Sequence, residues 1–324
     1  MSERRVRIMS TLFSTDPPMP AWERRVDMLS VTSGAAGILT ILRRARHYSI
    51  VVLDGSGRRD QIAAMLLRLL RPRLPLVITD STWKRERDWR NDLLNRLGIR
   101  LIDGPRTTFC VHSRFEVDTF PRTWGPLHGR VCFTPWPWTL KQPGFGSLTS
   151  DSGRVFAGGN SLRDYDQLIE AARSLSASID IVTNALSADQ RAACPPNVDA
   201  RPLPPDEYDR LLFAAAVVVV PLLRRDDRSS GQTTYVNAMA LGKAIVVTDT
   251  PGVRDYITDG ETGVIVAPGD AGAMAAAVQR LIDDPESRRH LGSRAREHAL
   301  GHLSLTDYAL SILQVVDSSV SLSL

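Results

Sequence analysis

Short runs of β-branched and aliphatic residues recur along this chain, and the stretches between them carry the 3.6-residue spacing of amphipathic helices. A chain that repeats strand, helix, strand in this way has few choices. It must lay its strands in parallel and cover both faces of the sheet with helices. The spacing predicts strands at 5–9, 49–53, 74–79 and 107–111, with helices near 34–46, 59–71 and 83–97. A second series follows, with strands at 154–158, 179–183, 216–222, 244–249 and 262–267 and helical segments from 270 to 316. Two α/β domains of Rossmann-like type account for the pattern, and 324 residues are enough for both. The proline- and aromatic-rich stretch 135–143, followed by Gly144, Gly146 and Ser147, interrupts the alternation and reads as a linker. The expected organisation is a first domain over 1–140, a linker over 141–153, a second domain over 154–302 and a terminal segment over 303–324.

Composition narrows the class of function. The chain is 43% hydrophobic and 23% charged, which is ordinary for a globular protein. Its longest apolar stretch, 211–223, is interrupted by Pro221 and falls short of the roughly 18–20 residues that cross a bilayer. The amino terminus has Arg4, Arg5 and Arg7 but no apolar core of a signal peptide behind them, so a cytoplasmic location is expected. Cys110, Cys132 and Cys194 are too far apart for a metal knuckle and are expected to be reduced, buried and inert. Charge is split unevenly. Residues 1–140 hold 23 basic against 13 acidic side chains, a net of +10, and the remainder carries −6. All six tryptophans, at 22, 83, 89, 124, 136 and 138, lie in the basic part.

The segment most directly tied to chemistry runs from Ser229 through Ser230, Gly231, Gln232, Thr233, Thr234 and Asn237 to Gly242 and Lys243, between two predicted strands. It reads as a loop, a helix and a glycine stop. Backbone N–H groups at such a helix start are unpaired and bind phosphate, and Arg224, Arg225 and Arg228 stand just upstream.

Together with Asp259-Gly260-Glu261-Thr262-Gly263 and Ala267-Pro268-Gly269-Asp270, this segment resembles the carboxyl-terminal half of retaining glycosyltransferases of the GT-B fold, family 4. Upstream, Gly158, Gly159 and Asn160 followed by Arg163 and Asp164 resemble the family's glycine loop, with Arg163 where a diphosphate-binding lysine is found. The resemblance spans about 154–300 and implies two Rossmann-like domains facing a cleft, the second binding a nucleotide-sugar donor. It also implies that the last helix, near 304–316, returns to the first domain. Arg163, Arg228 and the amides of Gly231 to Thr234 would stabilise the departing diphosphate. Two family glutamates would fall at Ser229 and Asn237, and neither is acidic here. In the first half, residues 76–83 resemble the strand that ends in an active-site histidine, with Ser81 at or beside that place, next to the candidate Asp80, and no histidine there.

His112 ends a predicted strand and is a further candidate catalytic residue. Asp164-Tyr165-Asp166 is formally a DxD motif, yet it opens a helix, so no metal is expected. No organic cofactor is expected either, the nucleotide-diphosphate sugar being a substrate. The basic segments 68–73 and 84–90 suit a lipid-linked acceptor or an anionic membrane, while Trp83, Trp136 and Trp138 suit stacking on a glycan or small molecule. Nucleic acid is not expected. The function implied is sugar transfer from a nucleotide diphosphate to an acceptor, with retention. The alternatives are a non-catalytic nucleotide-sugar-binding partner of another enzyme and a sugar-nucleotide epimerase.

Overall fold

The computed structural model describes residues 6–12, 19–85, 88–140 and 152–321. The chain divides into two compact units, Met1–Pro135 with Thr306–Leu324, and Trp136–Leu305. Of the expected linker, residues 141–151 lie outside the described residues.

The first unit contains β1 (Ile8–Ser10), α1 (Pro20–Glu23), β2 (Val26–Met28), α2 (Gly34–Ala45), β3 (Ile50–Asp54), α3 (Arg58–Leu70), β4 (Leu76–Thr79), α4 (Trp89–Ile102), β5 (Thr107–Val111), α5 (Arg114–Trp124) and β6 (Arg130–Phe133). Its six strands are all parallel, in the order β2-β1-β3-β4-β5-β6. The central runs IVVLD, LVIT and TTFCV are apolar on both faces because helices cover both faces of such a sheet. Val51, Leu53, Leu76, Ile78, Phe109 and Val111 pack with Ile41, Leu67, Ile99 and Ile102 from the helices. Local signals place the helices. The Asp88 carboxylate accepts from Arg90 N at the start of α4, and Ser113 Oγ accepts from Glu116 N, 3.1 Å, at the start of α5.

The second unit contains β7 (Val155–Gly158), α6 (Tyr165–Ala172), β8 (Ile179–Val182), α7 (Ala188–Ala192), β9 (Val198–Arg201), α8 (Pro205–Ala214), β10 (Val217–Val220), α9 (Gln232–Ala240), β11 (Ala244–Thr248), β12 (Val264–Val266), α10 (Ala271–Asp283) and α11 (Pro285–His302). The last helix, α12 (Leu305–Ser321), is grouped from Thr306 onward with the first unit. There Ser319 Oγ lies 3.2 Å from Thr108 Oγ1 and accepts from Arg130 Nη2, while Arg25 pairs with Asp317.

The second sheet is also fully parallel, ordered β12-β11-β10-β7-β8-β9. Counted within the unit, this is the 3-2-1-4-5-6 order of dinucleotide-binding folds, and its connections reverse direction between β7 and β10. Both halves are therefore Rossmann-like α/β units, as the alternation of the sequence implies.

Three strands escape the sequence pattern, namely β2, β6 and β9. Each is an edge strand with partly exposed residues, so no continuous apolar run marks it. The helix expected at 83–97 begins later, at Trp89. Of the cysteines, all free, only Cys110 is buried; Cys132 and Cys194 are half-buried, which corrects the expectation for two of the three.

Candidate active site

In an open parallel sheet the carboxyl ends of the two strands flanking the reversal point leave a crevice between their loops. In the second unit these are the loops after β7 and β10, and both carry residues singled out by the sequence. After β7 the chain passes Gly158, Gly159 and Asn160 and reaches Arg163, which forms an isolated antiparallel bridge with Leu222 from the loop after β10. The two loops are also tied through Ser161, whose carbonyl accepts from Ser230 Oγ at 3.0 Å and whose hydroxyl lies 3.3 Å from Arg228 Nη2.

Arg163 is held on several sides. Its Nε donates to Gly158 O at 3.0 Å, Nη1 to Ser161 O at 2.7 Å and Nη2 to Thr234 Oγ1 at 2.9 Å, with Ser230 Oγ 3.5 Å from Nη1. A guanidinium has five N–H donors, and these contacts engage four of them. Burial lowers the pKa of Arg163, but a guanidinium still carries its charge at every physiological pH. Glycine is required beside it. Gly159 has φ +114°, and a Cβ there would lie 2.5 Å from Arg163 Nη2. A Cβ on Gly158 would lie 2.5 Å from the Tyr208 ring. Behind the loop, the Tyr165 hydroxyl donates to Gly159 O at 2.6 Å, and its pKa is pushed up to about 12, chiefly by burial. Asn160 Oδ1 accepts from Thr183 Oγ1 and Asn184 N, which fixes it to the loop after β8.

Gly231 caps α9 with φ +97° and contributes no side chain to the cap. Within the first turn Thr234 N already donates to Gly231 O at 3.0 Å, so the amide cradle expected over 231–234 loses its last member. What Thr234 offers instead is its hydroxyl, spent on Arg163. The Gln232 side chain donates to Ser229 Oγ at 2.5 Å. Asn237 is buried on α9, where Oδ1 accepts from Thr139 N at 2.8 Å and Nδ2 donates to Thr139 Oγ1 at 3.2 Å. The position of a family glutamate thus anchors the chain's own segment near 139. Thr233 is exposed on the first turn of the same helix.

The DxD carboxylates are engaged locally. Asp164 caps α6 by accepting from Gln167 N, and Asp166 accepts from Gln190 Nε2. Among the described residues no group of three or more His, Cys, Asp or Glu side chains is arranged to hold a metal ion.

The first unit gathers a second constellation at the carboxyl ends of β4 and β5. Asp80 sits at φ +46°, a conformation unusual for a non-glycine residue. Its Oδ1 accepts from the Tyr308 hydroxyl at 2.6 Å and lies 3.0 Å from His112 Nε2. His112 is buried, and its Nδ1 donates to Thr134 O at 3.0 Å. Both ring nitrogens therefore face acceptor oxygens, an arrangement that favours the imidazolium. Burial pulls the His112 pKa down, but the Asp80 carboxylate and the Thr134 carbonyl outweigh it and leave the pKa raised. Tyr308 was not singled out by the sequence, because it lies some 200 residues from its partners and only the fold of α12 joins them. Ser81 is buried with its hydroxyl turned back to Ile78 O, 3.0 Å away.

Two acceptor-side readings are corrected. Arg68 is buried, donating to Pro72 O and Thr107 Oγ1, so it belongs to no surface. Trp83 is half-buried, packing edge-on to Phe109 at 6.0 Å and against Phe120 at the border of the core, which leaves only part of its ring for stacking.

Residues 201–298, which include α9 and the loops around it, match the family Glycosyl transferases group 1. Within curated proteins, the D-inositol 3-phosphate glycosyltransferase of Corynebacterium diphtheriae is 37% identical over 98 residues, 30% of this chain and 22% of that one. The alpha-D-kanosaminyltransferase of Streptomyces kanamyceticus is 40% identical over 60 residues, 18% of this chain and 16% of that one. The chain thus spans about a fifth of the length of the curated relatives it matches. Solved structures extend the likeness to both units. Anabaena Alr3699/HepE in complex with UDP-glucose superposes with a TM-score of 0.67 at 15% identity, over 96% of this chain and 99% of that one. The sucrose-phosphate synthase of Thermosynechococcus elongatus gives 0.62 at 17% identity, over 97% and 88%. At such identities the likeness shows the fold, two Rossmann-like units of GT-B type.

Proposed function

We propose that this protein is a glycosyltransferase that moves a sugar from a nucleotide-diphosphate donor to an acceptor. The observation that carries the reading is the convergence of Arg163 and the start of α9 at the reversal point of the second sheet. The family match over 201–298 and the UDP-glucose named with the Anabaena structure support it. In the reaction the bond from the anomeric carbon to the diphosphate oxygen breaks, and its electron pair leaves with the diphosphate. The acceptor oxygen bonds the anomeric carbon and gives up its proton to the departing diphosphate, which holds the electron pair of the broken bond. Negative charge grows on the diphosphate as the old bond stretches, and a fixed cation stabilises that charge more than the ground state. Arg163 supplies the cation, the Gln232 and Thr233 amides with the α9 dipole supply the rest, and Arg228 adds charge at the rim.

The sequence resemblance supports retention of configuration, and the local engagement of Asp164 and Asp166 supports a reaction without metal. The first unit takes the acceptor in this reading, and its basic character supports a lipid-linked acceptor and peripheral attachment at an anionic, cytoplasmic membrane face. Incubation with a panel of nucleotide sugars tests the proposal. Slow release of nucleoside diphosphate from one donor, lost in Arg163→Ala, is expected. Tight binding of a nucleotide sugar with no release under any acceptor mixture would make the protein a binding partner rather than an enzyme.

A further inference from the structure

Amphipathic helices ordinarily turn their leucines inward, and α3 and α4 keep a second set outside. On α4, Trp89, Leu93, Leu97 and Leu101 recur at every fourth residue and Leu94 lies beside them. Their exposures run from 46% at Leu93 to 68% at Trp89. On α3, Ile62, Leu69 and Leu70 share one face, and Leu69 is 77% exposed. The two helices pack side by side, brought close at Gly98, where a Cβ would lie 2.9 Å from Met65 Cε. Their outer surfaces therefore form one apolar face.

The charges within these helices are mostly basic, and an exposed carboxylate, Asp88, stands at the N-cap of α4 beside Trp89. The only carboxylates of α2, α3 and α4 are Asp60 and Asp92; both are buried, Asp60 paired with Arg59 and Asp92 with Arg85 and Arg96. Arg43, Arg44, Arg58, Arg90, Arg96 and Arg100 are exposed on the same three helices. Between α4 and α5 a cavity of about 430 Å³ is lined by Arg85, Arg96, Arg100 and Arg122, with Leu93 and Leu97 among its walls. Asp92 compensates part of that charge. Arg90 lies over the Trp89 ring, 5.6 Å from its centroid.

We propose that the outer face of α3 and α4 docks on an anionic phospholipid membrane, with the arginine cavity between α4 and α5 seating a headgroup phosphate. Leucine and tryptophan beside arginine, with the carboxylates inside the helices buried, complement a surface that is apolar below and anionic above. A second copy of this chain would bring the same positive face against itself, and a nucleic acid would leave the leucines in water. The inference deepens the acceptor side of the proposed function, and it rests on that reading only for the reaction served.

The test is flotation of the full chain with phosphatidylcholine vesicles, with and without phosphatidylglycerol. Binding to the anionic vesicles alone, with release at high salt, is expected. Leu94→Glu with Leu97→Glu should weaken it by about tenfold or more, as should Arg100→Ala with Arg122→Ala. Leu300→Glu, on exposed α11, should leave it unchanged. Thermal melts check that each variant folds, and because the side chains are exposed the arginine pair remains informative even if the glutamates disturb α4. Equal binding to neutral vesicles, no binding at low salt, or indifference to both pairs overturns the proposal. A dimer seen by ultracentrifugation and lost in the glutamate variant would assign the face to a second copy and overturn it too. Nucleotide-sugar hydrolysis measured without lipid reads the proposed function separately, so each can fail alone.

Discussion

Replacing Gly159 by alanine should damage the second unit more than the backbone alone explains. Its φ of +114° disfavours any side chain, at a cost of about 1–3 kcal/mol. The peptide cannot easily relax, since Gly159 N donates to Val182 O and its carbonyl accepts from the Tyr165 hydroxyl. The three atoms nearest the added Cβ all belong to the Arg163 guanidinium, at 2.5, 2.9 and 3.0 Å. That group must move and give up at least one charge-assisted hydrogen bond worth about 1.5–3 kcal/mol. The total for Gly159→Ala is then roughly 2.5–6 kcal/mol. Gly269→Ala is the control, because φ is +74° and nothing lies within 4 Å, so only a backbone cost of about 1–2 kcal/mol remains. Urea denaturation of Gly159→Ala, Arg163→Ala and the double variant should give a coupling of about 1.5–3 kcal/mol, because without the guanidinium the clash vanishes. Additivity within about 0.5 kcal/mol would refute the reasoning.

Three further outcomes follow from the geometry. His112 has a raised pKa when folded, so its contribution is complete below about pH 6.5, the unfolded value, and is lost as pH rises through the folded value. Denaturation midpoints should fall across that window in the parent and lose this dependence in His112→Gln; an unchanged slope would contradict the imidazolium. Asn237→Ala leaves Thr139 N without its acceptor and should cost about 1–3 kcal/mol by thermal melt. No loss would mean the 136–140 segment is held by other contacts. Donor hydrolysis should survive EDTA, since Asp164 and Asp166 serve helix α6 and Gln190; loss with EDTA and recovery with Mn or Mg would make them ligands.

Much of the fold was legible because buried parallel strands announce themselves. Val217–Val220 and Ala244–Thr248 can be read from composition alone, since both faces are covered and every position is apolar or small. Edge strands such as Val198–Arg201 carry charge and half-exposed positions, so nothing local distinguishes them from loops. The candidate site residues of the second unit were legible for a similar reason. Gly159 and Gly231 occupy backbone conformations that glycine tolerates, and Arg163 follows a strand end. What a sequence cannot carry is how a group is spent. Thr234 looked like a free amide and is instead a hydroxyl partner of Arg163, Asn237 stood at the place of a family glutamate and holds Thr139, and Tyr308 completes Asp80 from the far end of the chain. The basic segments were visible as charge, but only the structure shows that Asp60 and Asp92, the carboxylates inside α3 and α4, are buried away from the arginines' outer face.

The central claim is that Arg163 and the start of α9 bind the diphosphate of a nucleotide donor. Calorimetric titration of uridine, UMP and UDP into the parent and into Arg163→Ala addresses it most directly. The account predicts that the second phosphate raises affinity by about tenfold or more in the parent, about 1.4 kcal/mol, and that this increment disappears in Arg163→Ala while the uridine affinity does not change. An equal increment in both proteins, or no binding of UDP or of any other nucleoside diphosphate to the parent, would contradict it.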